Sequence, residues 1–205
     1  MKKKQLEIFL QQTPDFIDPK PSLEQYQTPA TIAADMLFFA YQNHDIKGRK
    51  VVDLGCGTGI FSFGSKALNA KQVIGIDKDS DCIRVANAFA KKHHLDITFL
   101  VQDIKDYDFS ADTVLMNPPF GAQKSNRHAD RLFLKKAIAH ASVVYSLHLT
   151  KTVPFIQKMM KSLDATIESA FDVSFPLKSQ FFFHKKLMDT VSVSCLRIIH
   201  LPVEG

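Results

Sequence analysis

Tryptophan is absent, and the three cysteines, Cys56, Cys82 and Cys195, are scattered without a Cys-x-x-Cys pair. An odd, dispersed set builds neither a disulfide framework nor a zinc site, and it suits a reducing, intracellular compartment, read here as cytoplasmic. The eight histidines also lack ligand spacing. His93 and His94 are adjacent and cannot share one helix face, so no metal is expected. No apolar run is long enough to span a bilayer. Met1-Lys2-Lys3-Lys4 looks like the start of a secretory signal, but Leu6 to Leu10 is too short and too polar to continue one. Internal repeats and low-complexity blocks are missing too. Acidic residues are outnumbered, 21 Asp and Glu against 26 Lys and Arg, for a net charge of +5. That balance permits contact with nucleic acid without requiring it. The 17 phenylalanines read first as core filling.

What is present is a length and composition suited to one α/β domain: 205 residues, 45% hydrophobic and 23% charged. Four of the nine prolines (Pro14, Pro19, Pro21, Pro29) fall between residues 11 and 30, which predicts an extended, irregular segment. A helix follows from Thr31 to Gln42, with Thr28 as N-cap and Pro29 at its first position. From Lys50 onward, short apolar runs alternate with helical patterns. Strands are expected at Val51–Leu54, Gln72–Ile76, Ile97–Val101, Thr113–Met116 and Ser142–Leu147. Helices are expected at Ile60–Leu68, Asp79–His93, Ala129–His140 and Thr152–Leu163. Runs that are apolar throughout mark strands buried on both faces of a parallel sheet. Ala165–Phe175 and Met188–Ile199 alternate apolar with polar instead, which predicts an antiparallel pair at one sheet edge, joined through Pro176 and Phe181–Lys186. The fold class expected is a Rossmann-like α/β domain, a mostly parallel seven-stranded sheet with an antiparallel C-terminal pair and helices on both faces.

Two segments carry chemistry. Asp53-Leu54-Gly55-Cys56-Gly57-Thr58-Gly59 runs from a strand into a glycine-rich loop that opens a helix, so backbone N–H groups and a close approach are available to a ligand. Asp77 ends the next strand and is placed to accept both hydroxyls of a ribose. The dinucleotide fingerprint wants Gly or Ala where this chain has Ile60, and an Asp53 carboxylate suits the ammonium and sulfonium end of S-adenosylmethionine better than a pyrophosphate. Asp103, after the third strand, can accept from an adenine amine, with Ile104 covering the ring. The second segment is Asn117-Pro118-Pro119-Phe120, at the end of the strand Thr113–Met116. Asn supplies one acceptor and the Pro118 carbonyl another, the prolines hold them rigidly, and Phe120 offers a face for stacking. That is a clamp for a planar amino group. Gln123–His128, with Lys124 and Arg127, follows as a basic loop that either meets substrate RNA or is simply solvated. Phe183, His184, Lys185 and Lys186 mix rings and charge in the same way.

With these residues in view, the chain resembles the methyltransferase-like protein 5 family. The likeness rests on Glu24-Gln25-Tyr26-Gln27-Thr28-Pro29, Asp53–Gly59, Asn117–Gly121, Val144–His148 and Phe183–Lys186, and spans nearly the whole chain. It implies a class I methyltransferase that makes N6-methyladenosine in small-subunit ribosomal RNA. It also implies cofactor contacts at Gln25, Thr28, Gly55, Thr58, Ile60, Asp77, Asp103 and Ile104, with Asn117–Phe120 catalytic. A further implication is a small zinc-binding activator, similar to tRNA methyltransferase 112, paired with the sheet edge. Gln27 stands where the family carries Pro, and Thr58 where eukaryotic members carry Cys; the short chain is expected to be an archaeal member. Residues 1–205 are read as one domain, with 1–30 an extended N-terminal segment contributing to the cofactor site. A protein glutamine amide, a guanine N2 amine, and a non-catalytic role in ribosome assembly are the competing readings.

Overall fold

Alternating faces of short apolar strands decide where everything else packs. The computed structural model describes residues 1–121, 129–178 and 188–200. Its seven strands are β1 (Lys50–Leu54), β2 (Gln72–Asp77), β3 (Thr98–Val101), β4 (Ala111–Met116), β5 (Ala141–Leu149), β6 (Ala165–Lys178) and β7 (Met188–His200). They form one sheet in the order β3-β2-β1-β4-β5-β7-β6. The first five are parallel, and β7 runs antiparallel between β5 and β6. The expected fold class is therefore the observed one.

Successive side chains on a strand point to opposite faces, and the core divides accordingly. Val51, Leu115, Tyr145 and Leu147 pack with α1 (Lys3–Leu10), α2 (Ala30–Gln42) and α3 (Ile60–Ala67). Val52, Leu54, Val114, Met116 and Val144 pack on the other face with α5 (Ala129–His140) and α6 (Val153–Lys161). A smaller cluster seats α4 (Ser80–Lys92) through Ile83, Ala86, Phe89 and Ala90 against Phe63 and Phe99.

Several local expectations change. Residues 3–10 are helical rather than extended, because Leu6 and Leu10, one turn apart, are both buried in the core. Thr28 does not cap α2; Pro29 occupies that position with no side-chain bond, and the Thr28 hydroxyl is used elsewhere. Pro176 lies inside β6, paired with Thr190, rather than in the connection. An edge strand tolerates proline because one row of its N–H groups has no ladder partner to lose. Strand neighbours diverge on either side of β1, with β2 and β3 to one side and β4 and β5 to the other. At such a switch point a crevice opens beyond the C-terminal ends of the strands.

Candidate active site

A cavity of about 620 Å³ occupies that crevice. Its wall takes residues from the ends of β1, β2, β3 and β4, from the first turns of α5, and from the segment before α2.

The glycine turn after β1 is built from left-handed backbone. Gly55 has φ 72° and Gly57 φ 52°, conformations that a side chain disfavours. Space is also tight: a Cβ on Gly55 would sit 2.7 Å from the Phe133 ring, and on Gly57 3.0 Å from the Phe16 ring, so either ring would have to shift. The turn is anchored from beneath. Gly55 and Cys56 both donate N–H bonds to the Ile76 carbonyl. The Asp77 carboxylate accepts the Gly57 N–H through Oδ2 at 2.8 Å and the Asp79 N–H through Oδ1 at 2.9 Å. Asp77 thus lines the cavity while holding the turn, and burial raises its pKa against those two bonds.

Asp53 is the main correction to the sequence reading. It points away from the cavity, beneath the turn, and is 1% exposed. Its Oδ2 accepts the Ser62 N–H at 2.8 Å and the Ser62 hydroxyl at 2.7 Å, so it secures the start of α3. Oδ1 is buried with no partner. Burial pushes its pKa up to about 7, with the Ser62 bonds opposing and the Asp77 charge adding to the rise. The reason is strand alternation: residue 53 shares the face of Val51, which looks toward α3.

Asn117 behaves differently. It lines the cavity at the end of β4, beside Pro118, Pro119 and Phe120. Its Nδ2 donates to the Thr28 hydroxyl at 3.0 Å, which pins the amide, and its Oδ1 is buried without a hydrogen-bond partner. Phe120 is held edge-to-face by Phe175 of β6, with centroids 5.8 Å apart.

Of the other predicted residues, Gln25, Thr28, Thr58, Ile60, Asp103 and Ile104 all line the same cavity. Besides Thr28, three of them have polar atoms engaged in holding the wall. Gln25 accepts from the Lys20 N–H and donates to Asp79 Oδ2. Thr58 donates to the Pro14 carbonyl at 2.7 Å. Asp103 Oδ1 accepts the Lys105 N–H. Lys124, Arg127, Phe183, His184, Lys185 and Lys186 lie outside the described residues.

Sequence reasoning missed the aromatic walls, Phe16 and Phe133, and the buried Glu24, whose Oε2 accepts the Gly121 N–H at 3.0 Å. No periodicity links these positions to the turns they cover. Gln27, read only as a departure from a family pattern, also lines the cavity; its Nε2 donates to the Pro14 carbonyl and its Oε1 is buried without a partner. Among the described residues, no histidine lines the cavity. His148 is buried in β5 against the Ser146 hydroxyl, and desolvation lowers its pKa to about 3, which keeps it neutral.

Residues 31–146 match the family model of the methyltransferase small domain. An rRNA N6-adenosine-methyltransferase, METTL5, from Danio rerio is 38% identical over 96% of this chain and 98% of its own length. An uncharacterized protein of Methanocaldococcus jannaschii is 39% identical over 100% of this chain and 97% of its own. Among solved structures, a candidate RNA methyltransferase from Pyrococcus horikoshii superposes with a TM-score of 0.91 at 35% identity, covering 98% of this chain and 99% of that one.

Proposed function

The chain belongs to the METTL5 family of rRNA N6-adenosine methyltransferases, and on that footing we propose that it methylates an adenosine N6 in small-subunit ribosomal RNA. It is an S-adenosylmethionine-dependent methyltransferase. The observation that carries the substrate reading is the state of Asn117: amide nitrogen pinned, Oδ1 buried and unsatisfied, rigid prolines following. A buried acceptor without a partner costs about 1–3 kcal/mol, and an incoming N–H relieves that cost.

The residues present fit the methyl donor. Gly55 and Gly57 bring bare backbone to the cavity wall, open to a close approach. Asp77 ends β2 with each carboxylate oxygen using one acceptor site, which leaves lone pairs for ribose hydroxyls. Asp103 and Ile104 line the same cavity, and we assign them to the adenine. When bound, the cofactor supplies a methyl group on a sulfonium, open to in-line displacement. The protein's part is to hold the amine on that line. Positioning of this kind supplies roughly 7–11 kcal/mol of a barrier.

An exocyclic amine is a weak nucleophile because its lone pair is shared with the ring. Accepting its two protons at Asn117 Oδ1 and the Pro118 carbonyl favours the pyramidal form and frees that pair. The methylated nitrogen is acidic and releases its proton readily, so a strong base in the wall is unnecessary. The adenosine must leave its stack to enter, and Phe120 gives it a ring to stack on. The glutamine-amide, guanine-N2 and non-catalytic readings are not favoured, given near full-length relatives named as rRNA N6-adenosine methyltransferases.

We assign the β3 edge as the seat of a small zinc-binding activator. β3 ends the sheet, and Val101 on it is 51% exposed. The cytoplasm is the proposed location; among the described residues no helix is long and apolar enough to cross a membrane. The test is incubation with a labelled methyl donor and small-subunit rRNA, with and without the activator, followed by nucleoside analysis. N6-methyladenosine is expected. Asn117→Ala should cut its formation by about 10²–10³-fold and leave S-adenosylhomocysteine binding intact. Label found only in protein would overturn the assignment.

A further inference from the structure

Between Asp130 and Asp164 the chain carries Arg131, Lys135, Lys136, Lys151, Lys158 and Lys161 and not one acidic residue. This stretch builds all of α5 after Asp130 together with β5 and α6, so this flank of the sheet is predominantly basic. Lys136 is bonded to Asp108, but Lys135, Lys151, Lys158 and Lys161 are exposed. Topology brings part of this flank to the catalytic rim. β4 and β5 are parallel neighbours, so the turn Thr150–Thr152 and the first turn of α6 leave the sheet on the edge where β4 delivers Asn117. The start of α5 reaches the same edge, and its Leu132 and Phe133 line the cavity.

At that rim the Arg131 guanidinium lies over the Phe155 ring, 4.3 Å from its centroid. Phe155 is still 44% exposed, one of few large apolar side chains so exposed among the described residues. A tie between two helices needs no exposed aromatic ring, because an aliphatic side chain would pack under the arginine stem without presenting a π-face to water. An exposed ring, a guanidinium on it and exposed lysines nearby form the combination that single-stranded nucleic acid recognises: faces for bases, charge for phosphates.

We propose that Arg131 and Phe155 form a platform for a nucleotide flanking the target adenosine, with Lys151 beside it facing the phosphate backbone. This rests on the RNA reading above and adds to it a second contact point, outside the cavity. Phe155 takes the neighbouring base on its ring. Arg131 orients that ring and contributes charge. The flanking nucleotide is thereby held while the adenosine is turned into the cavity.

The experiment is fluorescence anisotropy of a labelled single-stranded oligoribonucleotide with a central adenosine, titrated with the full chain. Calorimetric binding of S-adenosylhomocysteine and a melting curve accompany each variant. Phe155→Ala should weaken RNA binding about tenfold, the order seen when a base loses an aromatic face, with cofactor binding unchanged. Phe155→Trp should restore it. Lys151→Gln should lower the salt dependence by about one phosphate contact. If the unaltered chain binds S-adenosylhomocysteine but no RNA, the RNA reading fails and takes the platform with it. If it binds RNA and Phe155→Ala binds equally well, the platform is wrong and the substrate reading stands. Failure of a normally melting Phe155→Trp to restore binding shows that an aromatic face there does not hold a base and also overturns the platform. So does a change of sedimentation state in Phe155→Ala with RNA affinity intact, which would make this face a protein contact.

Discussion

Among the described residues, three buried side-chain oxygens lack a partner: Gln27 Oε1, Asp53 Oδ1 and Asn117 Oδ1. Two belong to residues of the cavity wall, and the third lies under the glycine turn. Asn117 was legible from its neighbours, since two prolines after an apolar strand mark a rigid strand end. Asp53 was legible as part of the loop motif, but its direction was not. Its buried position has a measurable consequence. The folded-state pKa of about 7 lies above the ordinary 3.8, so the folded chain holds this proton more tightly than the unfolded one. Stability therefore falls as pH rises from about 4 to 7, by on the order of 1–4 kcal/mol in all. Asp53→Asn removes the titration. Melting curves of both proteins without cofactor, between pH 5 and 8, should show the variant gaining on the parent as pH rises. Parallel pH profiles would show that Asp53 is charged throughout.

The segment before α2 shows what an element can hide in plain composition. Its prolines mark it as irregular, and between α1 and α2 it is, apart from one short turn at Pro21–Leu23. Its purpose depends on partners far along the chain. Lys20 bonds Asp79 at 2.7 Å, Gln25 bonds Asp79 at 2.8 Å, the Pro14 carbonyl receives Thr58, and Glu24 receives Gly121. Asp79 also caps α4 by accepting the Asp81 N–H. Burial opposes its ionisation, but the Lys20, Gln25 and Asp81 bonds prevail and hold its pKa at about 2. Asp79→Ala should loosen both the cap, at about 0.5–2 kcal/mol, and the strap. Faster proteolysis within residues 11–29 and weaker S-adenosylhomocysteine binding are the expected signs. Lys20→Met keeps the cap and should show a smaller change in the same direction. Equal cleavage rates in all three proteins would mean that these bonds do not hold the strap.

At the scale of the molecule, the antiparallel pair β6–β7 must be locked to the parallel half of the sheet for Phe175 to reach Phe120. One polar network spans that join. Arg197 of β7 bonds Asp45 at 2.9 Å and the Tyr145 hydroxyl at 2.9 Å, and Tyr145 bonds Asp45 at 2.6 Å. Arg197 also pairs with Glu168 of β6. Asp45 and Tyr145 are buried. Arg197→Ala leaves the Asp45 carboxylate buried without its cation and should cost about 3–5 kcal/mol, read as a lower urea midpoint. A shift equivalent to less than about 1 kcal/mol, the worth of an exposed ion pair, would mean the network adds nothing beyond surface charge.

Taken alone, the sequence determined the alternation of strands and helices, the glycine turn and the Asn-Pro-Pro-Phe strand end, because these are local: periodicity, positive φ and proline rigidity act within a few residues. The tertiary structure alone decided which face of β1 lies away from the cavity, that Thr28 pins Asn117 rather than capping α2, and that Phe16 and Phe133 wall the glycine turn. Those outcomes depend on groups tens of residues apart meeting across a sheet, and no spacing along the chain encodes such a meeting.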